Sequence, residues 1–223
     1  MPEGRPVADI QRILAFDIET VPNEAHLPPD DPEGQRPWPG TGTPPALHPI
    51  TAHIIAVNCG WLKNTQHGWE AESEVILATD FADQETLEGM ERSVVEEAFR
   101  RLAGAVSKGS LLVSFNGKEF DLPMLRTRAA LLRLAVPAMP WRKLLYPYDD
   151  RDHLDLRLLL SNSRRATAGT LQTWATAFGV HAEERGEQVW TMVRAGKWSD
   201  LAEYGHAEGR TLVGLYLAVA GIL

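Results

Sequence analysis

Two acidic residues one position apart end an apolar run near the start of the chain, in ILAFDIETVP at 13–22. Alternate residues of a β-strand point to the same side of a sheet, so Asp17 and Glu19 would lie side by side on a strand. The run is apolar on both faces, which predicts a covered strand and carboxylates near the core. Such carboxylates repel each other unless a cation joins them or one is protonated. Mg²⁺ or Mn²⁺ suits such oxygen ligands. The common alternative is that the two acids lie on a solvated edge strand and bind no metal.

Three more residues with chemical potential lie farther along the chain. Asp121 occurs in NGKEFDLP, where a strand-like run turns into a helical pattern, and Asp at such a position can also cap the helix. Tyr204 and Glu208, in EYGHAEG, are four residues apart and share one face of a helix. A single pair of this kind is common on helix surfaces, so its meaning depends on whether the fold brings the acids together.

The hydrophobic pattern predicts the elements that would position these residues. Segments at 13–18, 53–62 and 74–79 are strand-like, and a polar turn around 64–68 joins the last two. They predict three consecutive strands in an antiparallel meander. Apolar residues at helical spacing then predict a helix over 83–107.

The second half of the chain alternates element types. A short buried strand is predicted at 111–115, and a second helix follows around Asp121. Beyond Pro140 come HLDLRLLL and three helical pieces broken by glycines, of which the last carries Tyr204 and Glu208. This order predicts an α/β layer fold.

The chain length of 223 residues suits a single domain over residues 1–223, and no repeat or clear boundary divides it. The segment at 22–49 holds nine prolines and little apolar periodicity. It is predicted to be an insertion over one edge of the domain, with Trp38 docked.

Composition excludes several classes of function. The net charge of −8 argues against a protein that coats DNA, but it is compatible with an enzyme that meets phosphates through metal ions. The seven histidines lack zinc-site spacing, and there is neither a Gly-rich phosphate loop nor a G-x-S-x-G elbow. One cysteine, no apolar leader and no apolar stretch near the roughly 20 residues of a membrane span predict a cytoplasmic protein without a membrane partner.

The motifs DIET and FNGKEFDLP, followed by a Tyr-x-x-x-acid helix, resemble the three exonuclease motifs of the DEDD superfamily of 3′-5′ exonucleases. The chain resembles the DEDDy branch, because it has Tyr204 and because Glu203 occupies the position where the other branch has histidine. Within it the chain is similar to predicted bacterial exonucleases that resemble the proofreading domain of family B DNA polymerases. The resemblance runs from Ile13 to Tyr216 and includes LHPITAHIIAV, SFNGKEFDLPML, HLDL and AFGVHAEERGEQVWTMVRAGKW.

The resemblance implies a ribonuclease H-like α/β fold, with a central mixed five-stranded sheet whose first three strands are antiparallel and whose faces carry helices. It implies a metal-dependent 3′-5′ exonuclease that hydrolyses phosphodiester bonds at the 3′ ends of single-stranded DNA. The nucleic acid would be the partner, and two Mg²⁺ or Mn²⁺ ions would be the cofactors.

The resemblance also assigns roles at the site. Asp17, Glu19 and Asp121 bind metal, Tyr204 positions the attacking water, and Glu208 stands where the family has its last aspartate. In a two-metal arrangement Asp17 bridges the ions, Glu19 and Glu208 serve the first, and Asp121 serves the second. Tyr204 would be a poor base, because the ordinary pKa of tyrosine is near 10.

Several neighbouring residues are candidates for substrate contact. Asn116 and Gly117 precede Asp121 in a turn that the resemblance places beside the substrate strand, and Thr20 follows Glu19. Phe120 could stack on a base or sugar, or it could be a core residue at the start of a helix. Basic residues could contact phosphates or form a solvated helix face: Arg126, Arg128, Arg133, Arg142, Lys143, Arg164 and Arg165. Asp155 in HLDL is predicted to be structural.

Glu208 departs from the family pattern. Its extra methylene moves the carboxylate roughly 1.5 Å farther along the side chain. An alternative is therefore a degenerate exonuclease that binds nucleic-acid ends, or serves a partner, without cleaving. A further alternative is RNA as substrate, because the sequence does not show how the 2′-hydroxyl is sensed.

Overall fold

The structure is a computed structural model that describes residues 12–28, 30–66, 68–81, 86–161, 169–182 and 189–220. Within these residues, one sheet contains the strands β1 (Ile13–Pro22), β2 (Ala52–Thr65), β3 (Gly68–Leu77), β4 (Leu111–Ser114) and β5 (His153–Asp155). Their spatial order is β3-β2-β1-β4-β5. β1, β2 and β3 pair antiparallel, whereas β4 joins β1, and β5 joins β4, in parallel. The predicted ribonuclease H-like α/β fold with its antiparallel meander is confirmed.

Helices flank the sheet. In the described parts of the chain they are α1 (Leu87–Ser107), α2 (Asp121–Leu131), α3 (Trp141–Leu144), α4 (Leu156–Ser161), α5 (Leu171–Ala177), α6 (Val189–Arg194) and α7 (Trp198–Ala220). The start predicted for the first helix lies outside the described residues. The side chain of Thr86 accepts the N–H of Gly89 at 3.1 Å and thereby caps α1.

The β2–β3 hairpin has a tighter turn than predicted. Pairing continues to Thr65 and Gly68, so the strands extend through the segment predicted to be a polar turn. Cross-strand polar contacts stabilise this end, with Lys63 bound to Glu72 at 2.5 Å. The strand predicted to reach residue 79 ends at Leu77, because the carboxylate of Asp80 accepts the Leu77 N–H at 2.8 Å and the chain enters a 3-10 turn.

The alternation of side chains along β1 divides the core into two faces. Phe16 and Ile18 pack in the cluster that includes residues of α1 and α2. Ala15 packs in the second cluster with Leu212 and Val213 of α7. Because every second residue shares a face, the odd-numbered acids of β1 lie on the α7 side.

A buried ionic network joins α1, α2 and β2. Glu91 accepts hydrogen bonds from Arg128 Nε at 2.7 Å and from the Ile54 N–H at 3.0 Å, and its other oxygen lies 2.7 Å from His53 Nδ1. Arg128 also donates to the Pro49 carbonyl at 2.9 Å. Burial by itself raises the pKa of Glu91, but the hydrogen bonds from His53 and Arg128 outweigh it and hold that pKa below its ordinary value. Arg128 is therefore a structural residue, and the interpretation of it as a phosphate contact is wrong.

The other basic candidates have separate surroundings. Arg126 lies over the Trp141 ring at 5.9 Å, and Lys143 lies 4.0 Å from Asp152. Arg133 and Arg142 are exposed. Arg164 and Arg165 lie outside the described residues.

The proline-rich segment contacts β1 and β2 through its turn at 45–47 and also packs on itself. It contains the 3-10 turns Glu24–His26 and Pro45–Leu47. The ring of Trp38 lies 5.7 Å from that of His26 and 6.0 Å from that of His48. Trp38 thus docks between two histidines of the same segment.

Candidate active site

The carboxyl end of β1 presents two acids toward α7. Asp17 is partly exposed and pairs in register with Asn58 of β2, while Glu19 is 8% exposed. The register with β2 shifts between Glu19 and Thr20, which indicates a β-bulge at this point. Bulges bend a strand and redirect its side chains, and they are frequent next to active sites.

Helix α7 lies close enough to β2 to bring Tyr204 and Glu208 to these acids. A Cβ atom on Gly205 would lie 2.2 Å from Oδ1 of Asn58, and one on Gly60 would lie 2.4 Å from the carbonyl oxygen of Gly209. Both distances are far below any van der Waals contact, so only glycine permits this spacing. The glycines of EYGHAEG therefore set the distance between the helix and the sheet.

Three carboxylates from two elements meet in this space. One oxygen each from Asp17, Glu19 and Glu208 lies within 4.8 Å of the other two. Glu208 is close enough to both other carboxyl groups to raise their pKa values. The longer side chain of Glu208 thus reaches the acids of β1.

Burial and mutual repulsion perturb this group. Burial raises the pKa of Asp17 well above its ordinary value, and the charges of Glu208, Asp121 and Glu19 add to the effect. Burial and Glu208 likewise raise the pKa of Glu19, although a hydrogen bond from Asn58 opposes the shift. A bound cation would remove this repulsion, since it favours the charged form of every ligand. The donor set of three carboxylates fits a divalent ion such as Mg²⁺ or Mn²⁺.

Asp121 lies beside this group rather than within it. It is the first residue of α2 and 1% exposed, and its Oδ1 accepts the N–H of Ile18 at 3.1 Å. Phe120, not Asp121, occupies the N-cap position of α2, and no side chain caps the helix there. The Asp121 carboxylate instead links α2 to β1 through the Ile18 N–H. Burial raises the pKa of Asp121 to about 7, against the hydrogen bonds from the Ile18 N–H and its own N–H, and the charges of Asp155 and Glu208 add to the rise.

Tyr204 is buried against the acids. It is 2% exposed and lies one turn before Glu208 on α7. Burial raises the pKa of Tyr204 far above its ordinary value, and the charges of Glu19 and Glu208 add to the rise. Tyr204 is therefore a neutral hydroxyl group at neutral pH.

The loop that leads to Asp121 is held by Asp155. This carboxylate is 1% exposed and accepts the N–H groups of Asn116 at 2.9 Å and Lys118 at 3.0 Å. Asn116 has φ +76°, a left-handed conformation that asparagine tolerates better than most residues. A Cβ on Gly117 would lie 2.3 Å from Ser114 Oγ. The conformation of the turn therefore explains why asparagine and glycine occupy these two positions. The contacts of Asp155 agree with its predicted structural role.

A buried hydrogen-bond chain supports the same loop. His153 Nδ1 lies 2.8 Å from the Leu144 carbonyl, and its Nε2 lies 2.8 Å from Ser114 Oγ. Ser114 Oγ accepts the Gly117 N–H at 3.1 Å. Since a carbonyl can only accept, Nδ1 carries the proton, and Ser114 donates to Nε2. Burial lowers the pKa of His153 to about 4, so the ring is neutral at pH 7.

The remaining substrate candidates are next to the acids in the chain, or contact the loop that precedes Asp121. Thr20 is partly exposed next to Glu19. Phe120 is partly buried and packs against the core cluster, as the alternative interpretation of this residue expected. Arg157 donates from Nη1 to Oδ1 of Asn116 at 2.5 Å, which places a cationic side chain at the loop.

Asn58 and the pair of Ser114 and His153 were missed from the sequence. Asn58 is fully buried, and its amide nitrogen lies 3.0 Å from Glu19 Oε1 and 3.2 Å from Glu208 Oε2. The available signal was a polar residue inside an apolar strand run, HIIAVNCGWL, since a buried polar side chain must find partners.

A five-stranded mixed sheet flanked by helices thus carries three acids between its strand β1 and helix α7. The chain belongs to the family of predicted 3′-5′ exonucleases related to the exonuclease domain of PolB, whose profile matches residues 51–219. The match includes Asp121, Tyr204 and Glu208, and it begins after Asp17 and Glu19.

A solved structure supports the fold. The family B DNA polymerase from the hyperthermophilic archaeon Pyrobaculum calidifontis is similar with a TM-score of 0.60 at 19% sequence identity. The likeness covers 93% of this chain and 24% of the polymerase chain, so this chain spans about a quarter of that protein. No curated protein matches the chain. Among the described residues, none of the helices combines the length and apolar character needed to cross a membrane.

Proposed function

We propose that this protein is a divalent-metal-dependent 3′-5′ exonuclease of the DEDDy type that removes nucleotides from the 3′ ends of single-stranded DNA. The observation that carries the proposal is that an oxygen of Glu208 on α7 lies within 4.8 Å of oxygens of Asp17 and Glu19 on β1. Three carboxylates this close repel one another unless a cation joins them or one is protonated, and family membership supplies the chemistry that a cation would serve.

The side chains divide the work. Asp17, Glu19 and Glu208 would hold one ion, and Asp121, together with Asp17, would hold a second. Divalent ions in such a site lower the pKa of a bound water and stabilise charge on the attacking and leaving oxygens. Tyr204 donates its hydroxyl proton in a hydrogen bond to the water or to the scissile phosphate, and its raised pKa excludes it as the base.

The reaction is a hydrolysis at phosphorus. The water oxygen attacks the phosphorus of the terminal nucleotide, and the bond from that phosphorus to the 3′ oxygen of the preceding nucleotide breaks. The 3′ oxygen takes up a proton, and the products are a nucleoside 5′-monophosphate and a strand one nucleotide shorter. The Asn116–Gly117 turn precedes Asp121 and Thr20 follows Glu19, so both could contact the strand through backbone and hydroxyl groups.

A labelled single strand tests this function. Incubation of a 5′-labelled DNA oligonucleotide with Mn²⁺ or Mg²⁺ should give a ladder of shortening products, and chelation with EDTA should stop it. Asp17→Ala should lower the rate by at least about a hundredfold, because misplacing the reactive groups by about 1 Å already costs that much. Glu203→Ala is the matched control, since Glu203 is exposed on the same helix as Tyr204. Cleavage that survives in Asp17→Ala would rule the assignment out.

A degenerate, non-cleaving form is the second candidate. It is favoured by Glu208 in place of aspartate and by the position of Asp121 outside the group of three carboxylates. If Glu208→Asp creates or greatly raises cleavage, the natural protein is the degenerate form. If Glu208→Asp has no effect or lowers the rate, glutamate is a working ligand. Matched DNA and RNA oligonucleotides in the same assay would separate the two substrates.

A further inference from the structure

Asn58 connects the two elements that build the carboxylate group. It lies within β2, directly opposite Asp17 in the register with β1, and its side chain is fully buried. Its amide nitrogen is 3.0 Å from an oxygen of Glu19 and 3.2 Å from an oxygen of Glu208. An amide nitrogen has two hydrogens, so one can serve the acid from β1 and the other the acid from α7.

The orientation of this amide is fixed by its surroundings. Among the described residues, Oδ1 of Asn58 has no hydrogen-bond partner. The same atom faces Gly205, where a Cβ would lie only 2.2 Å away. Turning the amide over would aim its oxygen at two carboxylates, which can only accept hydrogen bonds when ionised. The amide therefore leaves its oxygen without a partner so that its nitrogen can donate two hydrogen bonds.

Glu208 needs such a restraint more than an aspartate would. A glutamate side chain has one more rotatable bond than an aspartate, and fixing it costs more conformational entropy. Backbone pairing with β2 holds β1 in place, but the end of the Glu208 side chain rotates freely unless something binds it. Asn58 is a neutral donor and can bind two acids without adding the charge that a lysine or arginine would bring.

We propose that Asn58 is a positioning residue that holds Glu19 and Glu208 in the orientation that binds the divalent ion. The inference rests on the proposed function and deepens it, because it assigns the geometry of the ion site to a residue outside the acidic motifs. Asn58 acts through these two acids and touches neither the ion nor the nucleic acid.

Mn²⁺ binding in the absence of nucleic acid tests the inference. Titration calorimetry should give an affinity that is roughly 10 to 100 times weaker for Asn58→Leu and Asn58→Ala than for the wild type, the range typical of lost partners of metal ligands. At saturating Mn²⁺, the cleavage rate of both variants should recover most of its value. Asn64→Ala is the matched control, because Asn64 is exposed on the same strand and should bind Mn²⁺ as the wild type does.

The two substitutions separate positioning from packing. Leucine fills the space of asparagine without a donor, whereas alanine leaves a cavity. A packing role predicts that Asn58→Leu restores Mn²⁺ affinity, and that result would overturn the inference. If the wild type and Asp17→Ala bind Mn²⁺ with equal affinity, the proposed metal site is overturned together with the role of Asn58. Strong Mn²⁺ binding by the wild type that Asn58→Leu leaves unchanged would overturn only the role of Asn58.

Discussion

Glu208 joins the acids of β1 although it departs from the family pattern, whereas Asp121 lies beside them. Glu208 is one methylene longer than the aspartate of that pattern, and one of its carboxylate oxygens lies within 4.8 Å of oxygens of Asp17 and Glu19. Asp121 follows the family pattern, yet it hydrogen-bonds the backbone of Ile18 and is not part of the closest group of three acids. Residue type alone therefore did not decide which acids meet, because the backbone that carries each acid sets its reach.

Tyr204→Phe should separate hydroxyl donation from ion binding. Removal of the hydroxyl should lower the cleavage rate by about 10 to 100 times, since one donor to a reacting phosphate typically contributes a few kcal/mol. Mn²⁺ affinity should change little, because Tyr204 is not a ligand. Tyr216→Phe is the matched control, as Tyr216 is also buried on α7 but packs in the cluster with Ala15. An equal loss in both variants would indicate a general defect of the helix.

Helix α7 and strand β2 act as one unit in shaping the site. Glycines on both elements allow their backbones to approach closely. This close approach brings the side chains of Tyr204 and Glu208 to the acids of β1. The register of β2 places Asn58 opposite Asp17, so two strands and one helix contribute to one small volume. The distance between helix and sheet is therefore a property of the site as much as of the fold.

Gly205→Ala should damage this element pair. The added Cβ would lie 2.2 Å from Asn58 Oδ1, so the helix or the amide must move. We expect a loss of roughly 1 to 3 kcal/mol in the free energy of unfolding, measured with urea, and a marked loss of cleavage. Gly104→Ala in α1 is the matched control, because nothing lies within 4 Å of its added Cβ. That variant should be unchanged or more stable by up to about 1 kcal/mol, since alanine is the better helix former.

At the scale of the whole molecule, buried polar networks hold the layers in register. Glu91, Arg128 and His53 fasten α1, α2 and β2 on one face. His153 and Ser114 fasten β4, β5 and the loop before Asp121. Networks of this kind are costly when incomplete, so both make the stability of the domain sensitive to protonation.

Acid should destabilise the domain through His153. Its pKa in the folded protein is about 4, below the ordinary value of 6.5, so the unfolded chain binds more protons between these values. The stabilising contribution is complete above pH 6.5 and is lost as the pH falls toward 4, by about 3 kcal/mol in all.

Urea unfolding at several pH values measures this dependence. The free energy of unfolding of His153→Gln should vary less between pH 7 and pH 4 than that of the wild type. His48→Gln, at a partly buried histidine of the proline-rich segment, is the matched control. Parallel curves for the wild type and His153→Gln would contradict the expectation.

The sequence predicted the larger features because they depend on patterns of many residues. The antiparallel meander and the following β4 and α2 came from hydrophobic periodicity, which repeats along each element. Trp38 and Arg128 illustrate what periodicity does not show. Each binds partners far from it in sequence or within an irregular segment, and only the folded backbone places those partners together.

Both edges of the sheet also bear on how copies of the protein meet. β3 forms one edge and carries Glu70, Glu72 and Glu74 at every second position, while β5 at the other edge has only three residues. An unpaired edge offers its backbone groups to any extended chain, and like charges or a short strand prevent such pairing. Glu72 is paired with Lys63 and Glu74 with Arg101, so two copies that extended the sheet at β3 would have to bring rows of ion pairs together. The charged side chains of β3 and the shortness of β5 thus both oppose strand-to-strand aggregation.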